Sequence, residues 1–140
     1  MRFVLDNSVT MRWLFGDGSE ADLAYATRIL QLLESEETEA LVPCLWHLEV
    51  GNVIVRAEAK GLIPEARSAE FLGLLNDMAI VTDDETVVHA RGGTLQLARR
   101  FGLSTYDAAY LELALRNGLP LATLDADLRT AVSRTGATLA

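Results

Sequence analysis

Apolar positions along the chain alternate between short unbroken runs and longer stretches with helical spacing. Phe3-Val4-Leu5 closes a short strand from Arg2 to Leu5. Asp6-Asn7-Ser8 then offers capping side chains for a short helix over Val9 to Phe15. Asp17-Gly18 turns the chain, and Ser19 opens a second helix with Asp22 three residues on, a shortened capping box. Leu23, Ala26, Ile29, Leu30 and Leu33 recur there at the spacing of one helix face.

Glu39 to Val42 reads as a second strand, with Pro43 at a helix-start position. A helix runs from Cys44 to about Lys60 and stops at Gly61, and another runs from Pro64 to about Asp77. Ala79 to Thr82 is a third strand. Asp83-Asp84 caps a helix that passes the Gly92-Gly93 pair, which weakens and kinks it, and ends at Gly102. Ser104 or Thr105 caps the next helix, which ends at Gly118. Pro120 to Leu124 is a fourth strand, Asp125 to Arg134 a short helix, and Ala137 to Leu139 an edge strand.

Strands alternating with helices over the whole length predict an α/β fold, a parallel sheet covered by helices on both faces. No repeat, linker or low-complexity stretch divides the chain, so residues 1–140 are expected to form one domain. Half of the residues are hydrophobic, enough for a substantial core. Asp6 interrupts any signal-peptide core, and no apolar stretch reaches the length of a membrane span. The expectation is a soluble, cytoplasmic protein without membrane attachment. The lone cysteine, Cys44, cannot form an internal disulfide and reads as a small buried hydrophobe.

In open α/β sheets, sites form at the carboxyl ends of the strands. Asp6 directly follows the first strand and Asp125 the fourth, so both enter one crevice if those strands are neighbours. Each alone is equally well a helix cap. Glu49 is less easily explained: it lies among Leu45, Trp46, Leu48, Val50, Val53 and Ile54, and carboxylates are rare in such company. The plain alternative for Glu49 is an exposed residue paired with Asn52 or Arg56. Asp107 falls in a first helical turn, where the helix dipole favours an acid in any case.

Four converging carboxylates suit hard divalent cations, magnesium or manganese, which take oxygen ligands and can activate water against a phosphodiester. Neither histidine is placed to help. His47 precedes Glu49 by two residues, on another side of the helix, and His89 lies among Val87, Val88 and Ala90.

The formal net charge is −8, which opposes non-specific nucleic-acid binding. Bound cations offset that locally. The positive charge is nearly all arginine, suited to phosphate recognition, since Lys60 is the only lysine. An acidic surface also fits a basic protein partner.

The ordered segments Phe3-Val4-Leu5-Asp6-Asn7-Ser8, Leu48-Glu49-Val50-Gly51-Asn52-Val53, Leu103 to Ala114 and Leu121-Ala122-Thr123-Leu124-Asp125-Ala126-Asp127-Leu128 span nearly the whole chain. Together they resemble PIN-domain proteins, most of all the VapC toxins of bacterial toxin–antitoxin pairs. The resemblance implies a parallel sheet of about five strands and a magnesium- or manganese-dependent endoribonuclease. It places the family's acids on Asp6, Glu49, Asp107 and Asp125, and polar positions near the site on Ser8, Thr105 and Thr123. Asn52, on the Glu49 helix, is a further supporting position. Asp127 either assists or caps the following helix. The resemblance further implies a homodimer and a VapB-type antitoxin whose extended tail blocks the site. Arg56, Arg91 and Arg99 are candidates for contacts to the phosphates of the RNA substrate.

Two rivals share some features. A phosphoaspartyl phosphatase or receiver domain also carries an aspartate after its first strand, but the phosphatase needs an acid where Ser8 stands, and both need a late lysine that is missing. A PIN-like fold used only for binding is the other, and metal titration separates it from a nuclease.

Overall fold

A computed structural model describes residues 1–140. Four strands form one parallel sheet in the order β3-β2-β1-β4, with β1 at Arg2–Leu5, β2 at Glu39–Val42, β3 at Ile80–Thr82 and β4 at Leu121–Ala122. The eight helices are α1 (Asn7–Phe15), α2 (Glu20–Leu32), α3 (Leu45–Ala59), α4 (Glu65–Asn76), α5 (Thr86–His89), α6 (Gly93–Phe101), α7 (Thr105–Asn117) and α8 (Ala126–Ser133).

The unbroken apolar run of β1 follows from its place. It lies between β2 and β4, and Phe3, Val4 and Leu5 are fully buried, as a strand covered on both faces requires. The chain moves from β1 to β2 to β3 in one direction and then crosses back to β4. Right-handed crossovers therefore put α1 to α4 on one face and α5 to α7 on the other. The edge strand β3 leaves Val81 and Thr82 exposed. A single apolar cluster of 28 buried residues joins the sheet to both helical layers.

The expected fifth strand is not formed. Leu139 makes only an isolated bridge to Leu121, through the bonds Leu121 N–H to Thr138 O (2.8 Å) and Ala140 N–H to Leu121 O (3.0 Å). With β4 only two residues long, there is little ladder for a further strand to extend. The glycine pair also does more than kink a helix. Gly92 adopts φ −115° and ψ −108°, outside the helical region, and separates α5 from α6. Cys44 is exposed rather than buried. It stands at the N-cap position of α3, immediately after Pro43, without a capping hydrogen bond from its side chain.

Candidate metal centre at the carboxyl end of the sheet

Asp6 lies just beyond β1, where its N–H donates to Ala122 O of β4 (3.0 Å). This pairing brings Thr123 alongside it. Asp6 stands at the N-cap position of α1, yet its side chain caps nothing. Instead its Oδ2 accepts from Ser8 Oγ and from Thr123 Oγ1, both at 2.7 Å. The two hydroxyls are themselves held by the backbone. Leu124 N–H donates to Ser8 Oγ (2.9 Å) and Asp125 N–H donates to Thr123 Oγ1 (3.0 Å). Asp6 is thus a buried carboxylate in a rigid polar cradle, with only 5% of its surface exposed.

Asp125 follows β4 and does cap a helix, its Oδ1 accepting from Leu128 N–H (2.9 Å). It is nevertheless close enough to raise the pKa of both Asp6 and Asp107 by charge repulsion. Asp107 sits in the first turn of α7, whose cap is Ser104, with Oγ accepting from Asp107 N–H at 3.0 Å. Glu49 enters from the second turn of α3. It is partly buried and pairs with neither Asn52 nor Arg56. Its Oε1 instead accepts from the hydroxyl of Tyr110, a fully buried residue one turn beyond Asp107.

Four separate segments therefore bring four carboxylates into one region, and their electrostatics agree. Burial pushes the Asp6 carboxyl up, the two hydroxyl bonds oppose this, and Asp125 adds to it. Glu49 is likewise raised by burial, with Asp6 and Asp107 adding repulsion against the Tyr110 bond. Asp107 is pushed up to about 6, first by burial and then by Asp125 and Asp6. None of the four belongs to an ion pair, although the chain has eight such contacts elsewhere.

The tightest acidic grouping is a different one. Asp83, Asp84 and Glu85, after β3, bring carboxylate oxygens within 4.8 Å of one another. Two of them are already neutralised by protein. Arg116 of α7 donates to Asp83 Oδ2 (2.8 Å), Glu85 Oε2 (3.2 Å) and Glu112 Oε1 (2.7 Å), and holds the Asp83 carboxyl below its usual range. This is a charge network that ties α7 to the end of β3. The quartet at Asp6 is more widely spaced and has no cation of its own. Its donors are all oxygens, which fits magnesium or manganese coordinated in part by water.

The remaining candidates divide. Ser8 and Thr123 touch Asp6 directly. Thr105 is exposed and makes no side-chain hydrogen bond, and Ser104 is the hydroxyl that reaches Asp107. Asn52 is exposed and, with Glu49, Leu48, Val55 and Tyr106, lines a groove of about 720 Å³. Asp127 is exposed in the first turn of α8; it adds slightly to the charge at Asp107 and leaves the capping to Asp125. Arg56 lies on α3, Arg91 lines a pocket with Thr94 and Tyr106, and Arg99 is in the last turn of α6. His47 bonds Thr82 Oγ1 (2.7 Å), and His89 lies between Glu85 and Glu112. Tyr110 was not singled out by spacing, because its partner is 61 residues away in sequence.

A model of the PIN domain matches residues 3–132, and the chain belongs to the PIN domain family. Among solved structures it is similar to PAE2754 from Pyrobaculum aerophilum, with 21% identity and a TM-score of 0.69 over 99% of this chain and 83% of that one. It is also similar to VapBC2 from Rickettsia felis bound to a DNA fragment from their promoter, at 13% identity and a TM-score of 0.66 over 99% and 96% of the two chains. FitAcB from Neisseria gonorrhoeae matches at 18% identity and a TM-score of 0.61, over 100% and 97%. At these identities the likeness establishes the fold. No curated protein matches the sequence.

Proposed function

We propose that this PIN domain is a magnesium- or manganese-dependent endoribonuclease of the VapC type, the toxin of a toxin–antitoxin pair. The observation that carries the metal centre is the quartet's lack of any cationic partner. Asp6, Glu49 and Asp107 are each raised by burial and by at least one other acid of the quartet, and no arginine or lysine relieves them. A desolvated group of carboxylates is stable in its charged form only with a counter-charge. PIN domains are in general metal-dependent nucleases, and this donor set suits that chemistry.

Asp6, Glu49, Asp107 and Asp125 are the proposed ligands. A bound divalent ion supplies an activated water and charge stabilisation at the phosphodiester. The chain supplies orientation. Ser8 and Thr123 fix the Asp6 carboxylate, Tyr110 fixes Glu49, and the β1–β4 pairing sets the distance between Asp6 and Asp125.

A VapB-type antitoxin and a homodimer complete the reading, with action in the cytoplasm as one domain. The net charge of −8 suits a basic inhibitor. Leu48, Val55 and Tyr106, exposed beside Glu49, offer such a partner apolar surface next to the acids.

The test is cleavage of RNA with manganese, with and without EDTA, by wild type and by Asp6→Asn. Loss of cleavage in both controls supports the reading. Cleavage that survives both, or its absence in the wild type with metal, overturns it in favour of a binding module.

A further inference from the structure

The seam between α1 and α3 changes the sign of its charge along its length. The two helices pack side by side, with Trp46 Nε1 donating to Thr10 Oγ1 (3.3 Å) across the contact. Both begin at the acidic site, α1 after Asp6 and α3 just before Glu49. Along α3 and its C-cap, Arg56 follows Glu49 by seven residues and Lys60 by eleven. At 3.6 residues per turn all three lie within about 20° of one line along the helix, with the backbone positions of Arg56 and Lys60 about 10 Å and 16 Å along the axis from that of Glu49.

Arg56 and Lys60 share a pocket of about 320 Å³ with Arg12 from α1. Three of the chain's twelve lysine and arginine side chains therefore meet in one concavity of a protein with net charge −8. Asp17 is the only acid lining it and pairs with Arg12 at 3.1 Å. Arg56 and Lys60 are in no ion pair. Arg12 Nε is buried with no acceptor, an arrangement folded proteins generally avoid. The apolar wall includes Phe15, partly buried, and Leu62, exposed.

We infer that this pocket is a phosphate subsite for a single nucleic-acid strand lying along the α1–α3 seam. Guanidinium and ammonium groups bind the phosphodiester, and Phe15 offers a face for a neighbouring base. The strand it binds runs on to Glu49 and Asp6. The cations hold a phosphate a few nucleotides from the one cut, so the inference rests on the nuclease reading for its purpose but not for its binding. Because the acids repel phosphate, a cationic foothold away from them is what lets an acidic protein retain RNA.

The experiment measures binding of a labelled single-stranded RNA oligonucleotide by anisotropy in EDTA at low salt, where no metal contributes. Wild type is compared with Arg56→Gln/Lys60→Gln and with Arg67→Gln/Arg134→Gln, a control that removes two exposed charges elsewhere. The pocket variant is expected to bind about tenfold more weakly, and the slope of log K against log salt to fall by about 1.4, two contacts at about 0.7 each. The control variant is expected to match wild type. A DNA oligonucleotide of the same sequence is expected to show the same loss, since the phosphate is what is read.

Equal binding by both variants, or no binding by wild type, overturns the subsite. Asp6→Asn separates the two claims. It is expected to bind RNA in EDTA at least as well as wild type while failing to cleave with manganese. In cleavage assays the pocket variant is expected to raise KM with kcat unchanged.

Discussion

The Tyr110 hydroxyl donates to the Glu49 carboxylate, joining α7 to α3 over the carboxyl end of the sheet. It is the hydrogen bond that orients Glu49, and Tyr110 spends its whole side chain in the core to make it. Outer-shell donors of this kind commonly contribute 10- to 100-fold to metal affinity. Tyr110→Phe keeps the ring and its packing and removes only the bond. Manganese affinity, measured by calorimetry, is expected to fall by about tenfold, with the melting temperature without metal little changed. Unchanged affinity shows that Glu49 needs no such positioning.

Asp6→Asn removes a charge that is buried and repelled by Asp125. The metal-free protein is expected to melt at the same temperature as wild type or higher, because the hydroxyls of Ser8 and Thr123 still find an acceptor. The stabilisation that manganese gives wild type is expected to vanish. A thermal-shift series over metal concentration reads both effects, and a variant still stabilised by manganese counts against Asp6 as a ligand.

Asp107 gives the pH dependence its window. Its folded pKa is raised from 3.8 to about 6, so between those values the folded protein holds more protons than the unfolded chain. Stability therefore falls as pH rises through that interval. Asp6 and Glu49, also raised, act in the same direction. Asp83, lowered by Arg116, contributes stability that is fully present above 3.8 and lost only below it, outside this window. Melting temperatures of the metal-free protein are expected to drop between pH 4 and pH 7, and saturating manganese to flatten the drop. A metal-free profile flat over this range would mean that the carboxylates do not crowd one another.

Arg116 carries a prediction of the opposite kind. It neutralises Asp83, Glu85 and Glu112, and Asp83 and Glu112 are themselves buried. Arg116→Met strands those two acids, and a loss of about 3 kcal/mol in unfolding free energy is expected. Manganese affinity at the Asp6 site is expected to survive in the folded fraction. Denaturant titration and calorimetry on the same sample separate the effects; manganese affinity that rises once Arg116 no longer neutralises Asp83 and Glu85 would place the metal there instead.

What could be read along the chain was what local chemistry decides. Ser19 and Ser104 cap α2 and α7 as their positions imply, since each bond spans three residues. The buried run of β1 announces a covered strand. The helix break at Gly92 depends on one residue's dihedral angles, and a glycine pair alone does not reveal whether a helix bends or stops. The same limit applies to the ends of the sheet, where Ala137 to Leu139 has strand character but only two residues of β4 to meet. Cys44 is apolar in type, but its exposure is fixed by where Pro43 leaves the sheet.

Within the site, local rules misjudged Asp6 and judged Asp125 well. Both stand where helix caps stand. Asp125 caps, while Asp6 turns to Thr123, 117 residues away in sequence. Glu49 drew notice because its neighbours are apolar, but the donor that holds it lies on another helix. The hydroxyl at Asp107 belongs to Ser104, one residue before the Thr105 that the family resemblance favoured.

The pairing of β1 with β4 fixes when, during synthesis, the acidic site can assemble. Asp6 directly follows the first strand made, and Thr123 and Asp125 follow the last. During synthesis the first aspartate must wait for nearly the entire polypeptide before Thr123 and Asp125 exist beside it. A product that ends before Thr123 carries at most three of the four acids and lacks one of the two hydroxyls that hold Asp6. The order of the strands thus delays assembly of the site until translation is nearly finished.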